Sequence, residues 1–269
     1  MMTERTMRDG LAPIRFLAAV LLPVFFAACG SSEGVQILTA DSRFELGKTK
    51  FEKGDYIDAL SDFNVIKLQF PGSSVADDAQ YYIGECHYHQ EEFLIASEEY
   101  QTLKRSMPAS PLVPMAQYKT AMCFYSLAPK SSLDQTYTSR AIDEFQAFIE
   151  YYPAHELVHD AESKIVELNN RLSKKLYDTG ILYLKMEFYK AAAIYFSSVI
   201  EKYHDTEFAE PSYIGKARAL NARKKYEETK QELEKFFQRY PQSPLKDDAI
   251  SLQQEADSHM KSTSAAQKK

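Results

Sequence analysis

A self-similarity of 37 residues governs this 269-residue chain. Shifting the sequence by that interval carries Phe44 to Tyr81 and Tyr118, Gly47 to Gly84 and Ala121, and Phe51 to Tyr88 and Tyr125. The same shift takes Ala59 to Ala96, Phe63 to Tyr100, Ile66 to Leu103 and Pro71 to Pro108. A period of this length marks a repeat architecture, because one short unit cannot bury its apolar face alone and must stack on its neighbours.

Within each unit the spacing is helical. Apolar residues at i, i+4 and i+7 give a second helix one buried stripe: Ala59, Phe63 and Ile66, then Ala141, Phe145 and Phe148, then Ala192, Phe196 and Val199. Proline follows at 71, 108, 153 and 241 and stops that helix, since it lacks the N–H and clashes with the preceding turn; His204 stands at the fourth such place. Small residues on the first helix (Gly47, Gly84, Ala121, Gly180, Ala217) leave room for the second to approach near Ala59, Ala96, Ala141 and Ala192. The pattern resembles the tetratricopeptide repeat, with three extra residues assigned to the turns between units. The expected fold is all-α: a solenoid of about five such helix pairs with a C-terminal capping helix at 245–256. The register breaks twice. Residues 127–139 add eight residues inside the third pair, and an unbroken helical pattern from about Leu157 to Lys185 extends the first helix of the fourth pair backwards.

The start of the chain has a different character. Arg5, Arg8 and Arg15 precede an apolar run from Phe16 to Ala28. As a helix that run covers about 20 Å, short of the ~30 Å of a bilayer core, and it suits an export signal. It ends Phe26-Ala27-Ala28-Cys29-Gly30, which resembles a bacterial lipobox with Phe26 where an aliphatic residue is usual. The resemblance implies lipidation of Cys29 and cleavage before it, with Gly30 following, a residue compatible with transfer to the outer membrane. Acyl chains at ~0.8 kcal/mol per buried CH2 make such an anchor durable. An ordinary cleaved secretory peptide is the alternative.

The formal charge is −6, and removing residues 1–28 takes away three bases and two acids, leaving −7. That balance argues against nucleic acid as a partner. Cys86 and Cys123 remain, open to pairing in an oxidising compartment but expected as buried free thiols.

Taken together, the lipobox, the five repeats, the third-repeat insertion and the long helix resemble the D lipoprotein family of the outer-membrane β-barrel assembly machinery. The likeness is strongest over Asp134 to Thr206, with Ala141, Phe145, Tyr152-Pro153, Asp160-Ala161, Arg171-Leu172, Tyr183 and Asp205-Thr206 carrying it. It implies a scaffold with no bond chemistry and no cofactor. The barrel subunit's periplasmic modules and unfolded outer-membrane protein segments would be its partners, with other assembly lipoproteins as further candidates. It also implies a division into a signal peptide (1–28), a lipidated linker (29–37), a client-binding half (38–153), a partner-docking half (154–256) and a disordered tail (257–269). The family's contact arginine falls on Tyr195, so an ion pair made there by relatives has no counterpart at this position.

Two aromatic rows run along the first helices. Phe44, Tyr81 and Tyr118 form one, continued by Tyr177; Phe51, Tyr88 and Tyr125 form the other, seven residues on and on the same helix face. Such rings suit an extended, aromatic-ended client segment in a concave groove. The competing account packs them between neighbouring helices. His155-Glu156-Leu157-Val158-His159 matches the zinc-protease pattern letter for letter, yet Asp160 follows where those enzymes keep an uncharged residue, and Pro153 makes it an exposed first turn. A zinc peptidase is therefore the disfavoured alternative, and a repeat lipoprotein of another envelope complex, cell-wall or secretory, the closer one. Cys86, His87 and His89 lack an identifiable further ligand.

Overall fold

The computed structural model describes residues 38–267, with side chains described up to 262; the expected signal peptide, Cys29 and the linker lie outside this range. The described residues form eleven helices and no strand. They pair as α1 (Ala40–Glu52) with α2 (Tyr56–Gln69), α3 (Ala76–His89) with α4 (Phe93–Ser106), and α5 (Val113–Leu127) with α6 (Thr136–Tyr151). Then come α7 (Val158–Lys185) with α8 (Tyr189–Lys202), α9 (Ala209–Ala222) with α10 (Tyr226–Arg239), and α11 (Lys246–Gln267). Each helix packs on the one before it and the one after it, as a solenoid requires.

The small positions on the first helices do what their size allows, although their partners are rings and not the alanines named from the sequence. A Cβ built on Gly47 would lie 2.8 Å from the Phe63 ring, one on Gly84 2.6 Å from Tyr100, and one on Gly180 2.8 Å from Phe196. Ala59, Ala96 and Ala192 are fully buried one turn before those rings, as is Ala141 one turn before Phe145. The aromatic side chain of the second helix thus seats on the bare backbone of the first.

Within a pair, the turn is also repeated. Gly54, Glu91, Glu187 and Lys224 all have φ between 60° and 86°, the left-handed region. The next N–H then reaches back five residues to close the helix: Asp55 to Lys50, Glu92 to His87, Phe188 to Tyr183 and Lys225 to Leu220, each at 2.9–3.0 Å. Between pairs, a loop serine reaches an acid at the start of an earlier first helix. Ser74 donates to Asp41 at 3.3 Å and Ser110 to Asp77 at 2.7 Å, and Ser243 bonds Glu210.

The two register breaks complement each other. Residues 128–135 replace the tight turn of the third pair, and α7 runs twice the length of other first helices. Its first half caps the third repeat through Ala161 and Leu168, and its second half begins the fourth through Gly180. The inserted loop rests on this helix: Arg171 donates to the carbonyls of Ala128 (2.8 Å) and Pro129 (3.3 Å), and Lys175 to that of Leu133. At the C-terminus the expectation fails. Helix α11 does not stop at 256 with a disordered tail but continues to Gln267. Residues 257–267 contain no glycine or proline to break a helix already nucleated by packing of Ala249, Leu252 and Ala256.

Candidate functional site

The first aromatic row is a packing device. Phe44 meets Phe63, Tyr81 meets Tyr100, Tyr118 meets Phe145 and Tyr177 meets Phe196, with ring centroids 5.6–5.8 Å apart each time. Phe44 and Tyr118 are both only 8 % exposed. The Tyr118 hydroxyl donates to Asp160 on α7, and burial, followed by that bond, holds its pKa above the usual range. In the second row, Phe51 packs on Tyr56 and Tyr88 on Phe93, both at 5.3 Å, beneath the turns within the pairs. Tyr125 donates to Glu167 at 2.5 Å, which pushes the phenol up to about 12, and Lys164 lies 4.5 Å from the centre of its ring. These rings join adjacent helices; Phe44 and Tyr118 are buried, while Phe51, Tyr81, Tyr88 and Tyr125 keep part of their surface exposed.

A polar node sits between the second and third repeats. Glu85 is buried and accepts from the Tyr100 hydroxyl at 2.6 Å and from Lys119 at 2.9 Å. Desolvation, reinforced by the Glu85 charge, raises the Tyr100 phenol and keeps it neutral as a donor. Cys86 and Cys123 are free and buried, and burial pushes both thiols up to about 12.

The histidine motif is not gathered into a centre. The His155 ring packs edge-on against Phe148 at 5.2 Å and its Nδ1 accepts the Leu157 N–H at 3.2 Å, while the His159 side chain is 97 % exposed. His87 pairs with Glu92 at 2.6 Å, and His89 stacks on Tyr56 at 4.9 Å. Among the described residues no group of three or more His, Cys, Asp or Glu is placed to hold a metal ion.

An exposed apolar feature lies in the fourth repeat. A cleft of about 710 Å³ opens at the turn between α7 and α8, lined by Tyr183, Phe188, Tyr189 and Ile194 and rimmed by Glu187, Lys190 and Arg223. Phe188 is 56 % and Ile194 58 % exposed, and Leu182 and Met186 nearby are also exposed. Tyr195, the position singled out from the sequence, stacks on Tyr183 with centroids 5.3 Å apart and planes 17° apart. It is half-buried and tied to the cleft through that ring. Sequence reasoning passed over Phe188 and Ile194. The signal was available in the repeat alignment: the places of Phe188 hold Asp55, Glu92 and Lys225 elsewhere, and those of Ile194 hold Ser61, Glu98 and Gln231. Apolar residues at positions that sister repeats keep polar and exposed mark a surface with a use.

No helix among the described residues is long and apolar enough to cross a membrane. The sequence model of the YfiO family, described as outer membrane lipoprotein, matches residues 38–221, and a tetratricopeptide-repeat model matches residues 213–243. No curated protein matches the chain. Similar solved structures include a tetratricopeptide repeat protein from Parabacteroides merdae, 14 % identical over 84 % of this chain and 79 % of that one, with a TM-score of 0.36. Two others are the TPR2AB domain of yeast Sti1 in complex with an HSP90 peptide (13 %, 81 % and 98 %, 0.37) and the Thermus thermophilus protein TTC0263 (14 %, 80 % and 98 %, 0.35). With more than half of its length matched, the chain belongs to the YfiO family of outer-membrane lipoproteins, built here on tetratricopeptide repeats.

Proposed function

We propose that this protein is a lipid-anchored scaffold, attached through Cys29 to the periplasmic face of the outer membrane, that supports assembly and insertion of β-barrel proteins. It docks the periplasmic modules of the barrel subunit through repeats four and five and receives unfolded client segments on repeats one to three. Its work is binding and positioning, with no reaction catalysed. The observation that carries this reading is the apolar cleft beside Tyr195, in a family of outer-membrane lipoproteins. A partner inserting an apolar side chain between Phe188 and Ile194 would remove from water the half of each that is still exposed, contributing roughly half of the 1.5–3 kcal/mol of a fully exposed side chain. Where relatives use an arginine, the Tyr195–Tyr183 stack offers a flat ring surface, so docking here leans on apolar contact more than on an ion pair at that position.

Affinity purification of the full chain from detergent-solubilised membranes tests the reading. A barrel protein bearing several periplasmic modules should co-purify, and Phe188→Ser should reduce its recovery. Recovery of cell-wall or secretion components alone would replace this reading with that of a scaffold for another envelope complex. Stoichiometric zinc in the purified chain, lost on His155→Ala, would revive the peptidase.

A further inference from the structure

The turns within the helix pairs lie side by side along one edge of the solenoid. The depression at Gly54–Asp58 is closed by Gln90 of the next repeat, and the cleft at Glu187–Ala191 by Arg223 of the next. These are equivalent places, and their chemistry reverses along the chain. In repeats one and two the edge carries Glu52, Asp55, Asp58 and Glu91 with a single exposed lysine, Lys53, in the same turn, around the exposed Ile57, Leu94 and Ile95, and is acidic on balance. In repeats four and five it carries Lys185, Lys190, Arg223 and Lys224, with Glu187 and Glu227 among them, around Phe188 and Ile194, and is basic on balance. Glu92 and Lys225 are engaged within the chain, by His87 at 2.6 Å and Glu228 at 2.5 Å; Arg223 is half-buried at the cleft, and the others are exposed. Midway, the inserted loop of the third repeat presents Leu133, 58 % exposed.

An edge that is net acidic and apolar at one end, and net basic and apolar at the other, complements itself when a copy is laid antiparallel to it. We propose that the protein pairs with a second copy of itself along this edge about a twofold axis. The acidic turns of repeats one and two of each copy seat on the basic-rimmed cleft of the other, and the two Leu133 side chains meet at the axis. Closed twofold pairing makes both contacts at once, so each favourable charge contact counts twice. Apolar anchors inside a charged rim are the ordinary composition of a protein interface. This proposal stands apart from the barrel-assembly reading, although both use the cleft, so a barrel subunit docked there would compete with the second copy.

Sedimentation velocity of the full-length chain in detergent should show a monomer–dimer equilibrium that weakens as salt is raised. Reversing the basic end (Lys190→Glu with Arg223→Glu) or the acidic end (Asp55→Lys with Asp58→Lys) should each weaken self-association by about tenfold or more. Mixed, the two variants should pair only with each other, because both contacts of the mixed pair are again complementary. Leu133→Cys should give disulfide-linked dimers on mild oxidation. A chain that stays monomeric at ~0.1 mM, a dimer indifferent to both charge reversals, or open-ended polymers in place of a closed pair would each overturn the proposal.

Discussion

The residue that carries most weight per atom is the glycine under each ring. Gly84 packs against Tyr100, which is fully buried and also donates to Glu85, so neither ring nor backbone can retreat easily. Gly84→Ala should therefore cost about 1–3 kcal/mol in urea unfolding, the range for overpacking a tight contact. Ala121 fills the equivalent place in the third repeat against Phe145, so that pair already tolerates a methyl, and Ala121→Gly should be much milder than the reverse change at 84. Glu99 supplies a pH-dependent counterpart. Burial alone would raise its carboxyl, but hydrogen bonds from Lys67 and Gln80 outweigh this and bring it below the usual value. A depressed carboxyl contributes stability that is full above the unfolded pKa of about 4.3 and is lost as pH falls through the folded value. Glu99→Gln should therefore lower stability at neutral pH and flatten its decline below about pH 4, read from urea midpoints across pH.

The element on which the architecture turns is the short connection within each pair. Four of five pairs close it with a left-handed residue, yet glycine holds that place only at Gly54; Glu91, Glu187 and Lys224 bear the cost of a Cβ there. That cost is roughly 1–2 kcal/mol per residue, offset in part by the greater freedom glycine has when unfolded. Lys224→Gly should accordingly stabilise the chain by about 0.5–1 kcal/mol, and Gly54→Ala should destabilise it by a similar amount, measured as shifts in thermal midpoint. The third pair departs from this rule because its connection does other work. Residues 128–135 lie against α7 and accept hydrogen bonds from Arg171 and Lys175, filling space beside a helix of double length that has no second helix between its halves. Insertion and long helix are one feature seen at two places in the chain.

At the scale of the whole molecule, a solenoid holds together by nearest-neighbour interfaces, and its last repeat depends on its cap. Helix α11 covers Tyr213, Leu233 and Phe236 through Ala249 and Leu252. Ending the chain at residue 245 should expose that cluster, so amides of α9 and α10 should lose exchange protection first while α3 to α6 keep theirs. Uniform loss of protection across all repeats would instead mean that the stack unfolds as one unit. The graded chemistry of the turn edge is also a property of this scale, since no single repeat contains it.

The periodic spacing by itself determined the helix pairs, their number, the presence of a capping helix though not its length, and both breaks in register, because each follows from local rules: an apolar stripe every 3.6 residues, a stop at proline, a small residue opposite a large one. Family membership was legible for the same reason, through the lipobox-like start and the positions shared over 134–206. What the aromatic rows face was not legible. Phe44 and Tyr81 could equally have lined a groove or wedged between helices, and their burial depends on where Phe63 and Tyr100 arrive from the next helix, a matter of interhelical distance that spacing does not contain. The surface left open was decided in the same way. Phe188, at the start of α8, and Ile194, within it, stay more than half exposed, and a residue's solvent contact is fixed by its neighbours in space and not by its neighbours in the chain.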